Sequence, residues 1–538
     1  MLLTDSAFII GLIILCIIYF LSPKRLRWML LLLASMLFYA YSGVANLLYI
    51  AATTVSTYLI TRKLDSMAAE RKGYLAAHKE KLDRDSKKAY KEAANKKRFL
   101  LLTLCLVLNF GILAVIKYGA FTMKNLNGLA GLFGAKGTLP VPDFLLPMGI
   151  SFYTFQTMGY AIDVYREKYP AEKNIAKLGL FVSFFPQLIQ GPISRYDQLS
   201  SGLFAGNGFQ PRRVLFGTQR ILWGYCKKLI LADRILPAVT LLISDTNKYY
   251  GVYAFVGILY YTLQLYADFT GGIDITIGIG QVLGIEMTEN FERPFFSKNI
   301  TEYWRRWHIT LGTWFKDYLF YPISVCKPMI RLSKWSREKL GKTIGKYVPV
   351  YVSTLAVWFV TGLWHGAAWN FIVWGLMNAV VILISERLTP FYTKFHQKHA
   401  WSNTHAYDGF QALRTTLLMG CLRMFDCYRD VPLTFKMFGS MFTSFNFSIL
   451  WDGSLLHLIS TETNRPVLSG WDYAVLLIGA GVLFIASLLG RKGSVRKRIL
   501  EISPVLSCAL TVTMLLAVLV FGAYGVGYDS SQFIYNQF

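Results

Sequence analysis

The sequence predicts an all-α polytopic membrane protein, and three observations carry that expectation. Of the 538 residues, 54% are hydrophobic and only 16% are charged, against about 25% charged in soluble domains. Apolar runs close to the ~20 residues that cross a bilayer as a helix recur from end to end. The excess of 56 Lys and Arg over 31 Asp and Glu falls in short loops between those runs, as cytoplasmic loops require. The runs are continuous rather than alternating over ~10 residues, which excludes a β-barrel. The net charge of +25 is therefore read as topology and attraction to anionic lipid. The lipid bilayer is the partner this implies. Nucleic acid is excluded, because no basic soluble domain interleaved with aromatic residues is present. The seven cysteines are scattered, mostly in apolar runs, and form no C-x-x-C, so they read as buried thiols.

The elements follow in chain order. A helix over 8–21 has Asp5 before it and Lys24, Arg25 and Arg27 after it. A secretory signal carries its positive charge first, so this helix is expected to be retained, with its N-terminus outside. Helices are predicted over 28–41 and 47–60. The insertion 62–98 then holds 13 Lys or Arg and 6 Asp or Glu and reads as a solvated helix or helical hairpin in the cytoplasm. A helix over 99–116, a Gly- and Pro-rich outer loop over 119–147 and an apolar stretch over 148–165 come next. The run 178–189 is short for a span and reads as re-entrant, interfacial or core. Non-helical backbone is tolerated at membrane depth only where protein or a water-filled cavity covers it, so Gln187, Gln190 and Arg195 are expected on a cavity wall. The stretch 214–244 is apolar but interrupted by Arg220, Lys227, Lys228, Asp233 and Arg234. A helix over 251–266, a basic loop over 327–346 and apolar segments over 348–361, 371–384, 410–425, 435–450, 473–489 and 505–524 complete the chain. The basic patch 491–498 puts the start of the last helix inside, and the C-terminus outside. The total is about 11 transmembrane helices with re-entrant segments.

Two stretches carry polar groups that a lipid-facing helix has no use for. One is 266–322, which begins rich in Gly and Ile and ends with tryptophans around Arg305, Arg306 and His308. The other is 362–370, where His365 sits in a long apolar run. They are expected to wall one buried site. A histidine at membrane depth must be hydrogen-bonded or face water. A structural imidazole packed on tryptophan and a general base both fit, since burial favours the neutral ring that accepts a proton. Gly362 and Gly366 leave room for a substrate or for another backbone, and Trp364 and Trp369 are placed to line an apolar channel. On a helix, Trp304 and His308 are i,i+4 and share a face. Arg305 and Arg306 either snorkel or hold the phosphates of a donor. Asp268 and Asp274 read as partners for Arg or Lys. The pair His396 and His399 lacks acidic or Cys partners, so no metal site is expected. Gly278, Gly280 and Gly284 miss the dinucleotide fingerprint, and the Gly280/Gly284 spacing reads as close helix packing. No G-x-S-x-G or P-loop occurs.

Several of these residues form a recognisable pattern. Asp268-Phe269, Glu289-Asn290-Phe291, Pro294-Phe295 and Glu302-Tyr-Trp-Arg-Arg-Trp-His-Ile-Thr-Leu311 resemble the signature block of the membrane-bound O-acyltransferases. Trp314, Asp317-Tyr-Leu and Tyr321-Pro322 extend the likeness, which is nearest to the alginate O-acetyltransferase branch. Gly362-Leu-Trp-His-Gly-Ala367, Phe184-Phe-Pro-Gln-Leu-Ile-Gln-Gly-Pro-Ile193 and the tail Phe533-Ile-Tyr-Asn-Gln-Phe538 resemble further blocks. The pattern departs at Gly272 and Ile273 and in the loop from Ser324 to Lys327. The resemblance implies one membrane-embedded domain over 1–538, with 266–385 as its catalytic core and the helices arranged around a central tunnel. It implies His365 as the catalytic histidine, a base or a transient acyl carrier, and His308 as a second functional residue. Asn290, Trp304, Arg306, Trp307, Trp364 and Gln190 would line the donor and substrate tunnel. No bound cofactor is implied, and the acyl donor would be acetyl-CoA or another thioester. The acceptor would be an extracellular polysaccharide, reached directly or through an extracellular partner acetyltransferase. D-alanyl transfer to teichoic acid is the alternative within the family, and a transporter or channel the alternative outside it. The absence of visible internal symmetry speaks against the latter.

Overall fold

A computed structural model describes residues 3–134, 139–459, 464 and 466–524. The tail 533–538, which the sequence linked to a family block, lies outside the described residues. Most of the described residues are helical, and among them the only β pairing is two isolated bridges, Phe291 with Trp307 and Ile459 with Pro466. Among the described residues six helices are long and apolar enough to cross a membrane: Val44–Ala77, Arg84–Leu132, Val348–His365, Trp369–Arg387, Gly470–Lys492 and Pro504–Phe521. Ser6–Leu21, Arg27–Tyr41 and Ile175–Gln190 are shorter apolar helices. The last two long helices bury little of themselves, and residues such as Leu477, Ile478 and Phe484 stand exposed, as lipid contact requires. The chain divides into two compact units, one of residues 1–210 with 283–288 and the other of 211–282 with 289–538.

In the first unit the basic insertion is a helical hairpin. The Leu47–Ala77 helix runs through it, and the Arg84–Leu132 helix starts at Asp83, whose carboxylate accepts from the N–H groups of Asp85 and Ser86. At the base of the hairpin Glu167 meets Arg71 at 2.6 Å, Arg98 at 2.7 Å and Lys72 at 2.9 Å. The loop predicted over 119–147 is shorter than expected, because the helix continues to Leu132. Residues 119–132 contain three glycines but no proline. Glycine costs a helix only about 1 kcal/mol, whereas proline, first met at Pro140, costs about 3.

The run read as re-entrant is a broken helix. Ile175–Ser183 and Phe185–Gln190 are separated by Phe184 at ψ 107, with Pro186 opening the second piece. Its far end runs into extended, buried backbone at 191–194. That backbone is tolerated there because the Gln187 amide donates to Pro192 O at 2.9 Å and to Ser194 Oγ at 2.6 Å. Gly149, at φ 71, makes room for the break, since a Cβ on it would lie 2.3 Å from Leu188 O.

In the second unit the interrupted apolar stretch forms Pro211–Tyr225, a π-helical segment Cys226–Ala232 and Asp233–Ser244. It packs on the 32-residue helix Val252–Leu283. The close crossing uses Gly217 and Gly224 against Gly278 and Gly271, where an added Cβ would stand 2.6–2.9 Å from the facing carbonyls. The packing expected at Gly280 and Gly284 is thus made one stretch earlier, and Gly284 instead ends the helix at φ 77. A widened π turn re-aims successive side chains, and here two adjacent lysines each reach a carboxylate on the facing helix. Lys228 lies 2.6 Å from Asp233 and 2.8 Å from Asp268, all three fully buried. Lys227 and Arg220 reach Asp274 at 2.5 and 2.9 Å. Asp268 and Asp274 are ion-pair partners, as expected. The basic loop predicted over 327–346 is the helix Lys327–Gly345, bent at Gly341.

Candidate active site

The second unit brings the two polar stretches together. Helix Ile300–Arg306 ends one residue before Trp307, which adopts extended geometry and pairs with Phe291. His308 follows in the left-handed region at φ 49 and ψ 52, and helix Ile309–Phe315 begins after it. Trp304 and His308 therefore do not share a helical face. The expected i,i+4 relation fails because the chain turns between them.

Asn290 holds this turn. Its Oδ1 accepts from Thr310 N at 3.1 Å and Thr310 Oγ1 at 2.9 Å, and lies 3.2 Å from His308 Nδ1. Its carbonyl accepts from Ile309 N at 3.0 Å. A backbone N–H can only donate, so the Asn290 atom facing it is the oxygen, and His308 must donate through Nδ1. In the neutral ring Nε2 is then the basic nitrogen. Left-handed geometry is uncommon for a residue with a side chain and marks a place the surroundings over-determine.

His365 is the last residue of helix Val348–His365, whose chain turns at Gly366 into helix Trp369–Arg387. The room at Gly362 and Gly366 is taken by the neighbouring chain. A Cβ on Gly362 would lie 2.4 Å from Phe371 O, and one on Gly366 would lie 2.2 Å from the Phe371 ring. Trp364 joins the two walls. Its ring is 5.6 Å from that of His308 and 5.0 Å from that of His365. Phe269 closes on His308 at 5.1 Å, and Trp374 meets His365 edge to face at 4.6 Å. Both histidines are buried.

The other predicted residues fall into place unequally. Trp304 donates through Nε1 to Asn378 Oδ1 at 3.2 Å and packs on Trp358 and Trp374 at 4.9 and 5.7 Å. Trp307 is buried against Phe269 and stacks on Tyr303. Arg306 pairs with Glu302 at 2.6 Å, half-buried, so its charge is already met. Gln190 belongs to the first unit, where it ends the Phe185–Gln190 helix, fully buried, its amide making no hydrogen bond to a described residue. Trp369 is 57% exposed. Trp374, five residues on, is fully buried.

Two residues of this assembly went unnoticed in the sequence, Arg423 and Asp426. They pair at 2.8 Å on helix His405–Tyr428, each about 5% exposed. A charge inside the apolar run 410–425 with an opposite charge three residues later is the signal that would have found them.

Comparison with known proteins bears on this arrangement. The family model described as "MBOAT, membrane-bound O-acyltransferase family" matches residues 172–425. A protein of Azotobacter vinelandii described as "Probable alginate O-acetylase AlgI" is 34% identical over 371 residues, covering 69% of this chain and 66% of the relative, just under two thirds of its length. A protein of Pseudomonas putida with the same description is 31% identical over 461 residues, 86% of this chain and 82% of the relative. The teichoic acid D-alanyltransferase of Bacillus subtilis is 28% identical over 295 residues, 52% of this chain and 68% of the relative.

Proposed function

We propose that this chain, which belongs to the membrane-bound O-acyltransferase family, moves an acetyl group from a thioester donor on the cytoplasmic side to hydroxyls of an extracellular polysaccharide. The alginate O-acetylases it resembles act, by their description, on such an acceptor. The observation that carries the reading is the contact of Trp364 with both His308 and His365. It joins the two sequence blocks that share the family pattern into one buried, tryptophan-walled place.

In this reading His365 is the general base. Its neutral ring takes the proton from an acceptor hydroxyl while that oxygen attacks the thioester carbonyl. The carbon–oxygen bond forms, the carbon–sulfur bond breaks, and the departing thiolate takes the proton back from the imidazole. His308 holds donor or acceptor, its Nδ1 fixed by Asn290 and its Nε2 directed by the left-handed turn. Trp304, Trp307 and Trp364 exclude water, and Arg306 sits near the rim with Glu302. About 11 spans around a central tunnel, with both termini outside, and an extracellular partner transferase complete the picture. The donor is acetyl-CoA or another thioester.

The test is transfer of radiolabelled acetyl from acetyl-CoA by the full chain in proteoliposomes. Replacing His365→Ala should lower the rate by ~10²–10⁴, the range for a lost general base, with the protein still inserted. Retained transfer would sink the assignment. Transfer from a D-alanyl carrier thioester in place of acetyl-CoA would favour the teichoic acid reading.

A further inference from the structure

We infer that Arg423 is a positioning residue for the two site histidines, acting through the indoles of Trp374 and Trp307. The inference rests on the acyltransferase reading and adds a third helix to the site, one that carries no site histidine of its own. The Arg423 guanidinium carbon lies 5.0 Å from the centre of the Trp307 ring, 5.1 Å from Trp374 and 5.6 Å from Trp304. All three are within the ~6 Å over which a cation is held by an aromatic face. Trp374 is the fully buried indole that meets His365 at 4.6 Å. Trp307 is the residue immediately before His308 in the left-handed turn, and its ring packs on Phe269, which itself touches His308. One cation thus faces an indole from each histidine-bearing wall.

Its cost points the same way. A buried arginine is expensive at membrane depth and is retained where it does something. The pairing with Asp426 at 2.8 Å uses Nη1 and neutralises the charge. It leaves the flat guanidinium to settle the three indoles, which an aliphatic side chain of the same size would pack against without fixing their orientation. Arginine suits this better than lysine, since its planar group stacks on aromatic faces as well as attracting them.

A double-mutant cycle tests it. Arg423→Gln, Trp374→Phe and the pair are measured for acetyl transfer from acetyl-CoA in proteoliposomes, each rate normalised to folded, inserted protein. Arg423→Gln should lower kcat at least about tenfold, since misplacement of a reacting group by ~1 Å can cost 10² in rate, with KM for acetyl-CoA little changed. Arg423→Lys should recover most of that loss. The paired variant should be no slower than the slower single variant, because both substitutions undo the same support. Wild-type kcat in Arg423→Gln, a loss confined to KM, or losses that multiply in the pair would each overturn the inference. Where Arg423→Gln yields no folded protein, Arg423→Gln with Asp426→Asn, which leaves no buried charge unpaired, carries the same cycle with Trp374→Phe, and multiplied losses there overturn it equally. A wild-type chain that transfers nothing refutes the acyltransferase reading and this role with it. An active wild type with multiplied losses refutes this role alone.

Discussion

Replacing Gly375→Ala should separate the two helices that hold His365 and its tryptophan. Gly375 lies in the helix Trp369–Arg387, one residue after Trp374, and faces the helix that ends at His365. A Cβ placed there would lie 2.3 Å from Trp358 O and 3.1 Å from Gly362 N, whereas ordinary contact begins at 3.4 Å. The obstacle is backbone on a neighbouring helix, so no side chain can swing aside. The helices must part locally by about 1.1 Å. Overpacking of this kind typically costs ~1–3 kcal/mol. The larger effect is on rate, because the same shift moves His365 against Trp374, and ~1 Å of misplacement can cost about 10²-fold. Gly375→Ala should therefore lower kcat by roughly two orders of magnitude while only modestly lowering the thermal midpoint in detergent. Acetyl transfer in proteoliposomes and a thermal melt on the same preparation read both numbers. Wild-type kcat alongside a lowered midpoint would show that this crossing supports the fold and not the site.

Three further outcomes follow from the same geometry. Asn290→Leu removes the oxygen that accepts from Thr310 N and Oγ1. A buried donor left unmet costs ~1–3 kcal/mol, so both thermal midpoint and transfer rate should fall, and an unchanged rate would remove Asn290 from the site. Lys228→Met takes away the cation between buried Asp233 and Asp268. Breaking such a group costs ~3–5 kcal/mol, so folded yield on size exclusion should collapse, and Lys228→Met with Asp233→Asn and Asp268→Asn should restore it. At Glu167 burial acts to raise the carboxyl, but the Lys72 hydrogen bond and the charges of Arg71 and Arg98 outweigh it and hold the group below its ordinary value. A depressed carboxylate stabilises the fold fully above its unfolded value of about 4.3, and that contribution is lost as pH falls through the lower folded value. The difference in thermal midpoint between wild type and Glu167→Gln should stay constant above about pH 5 and shrink in more acid solution. A difference independent of pH down to 3 would refute the assignment.

What the sequence disclosed, and what it hid, divides along the range of the interactions. Apolar runs disclosed most helices because each is set by its own composition. The lysines and arginines inside the 214–244 run announced buried pairs, since a charge at membrane depth must find a partner, and Asp268 and Asp274 are those partners. Residues 119–132 stay helical because their glycines alone break a helix weakly, and the first proline of the Gly- and Pro-rich stretch stands only at Pro140. The turn at His308 was invisible for a deeper reason. Residues 300–315 carry the side chains of a continuous helix, and the segment Asn290–Glu292, some 14–18 residues upstream in the chain, pairs with the backbone where it leaves that helix. Arg423 stands out as a charge in an apolar run, but nothing near it in sequence reveals that it will meet Trp304, Trp307 and Trp374. The parts of this site that a local reading loses are thus the long-range contacts that orient the histidines, while the histidines themselves stand out. That asymmetry has a physical origin. A buried imidazole or guanidinium is conspicuous because it is costly wherever it sits, whereas the partners it will meet are decided only when the helices pack.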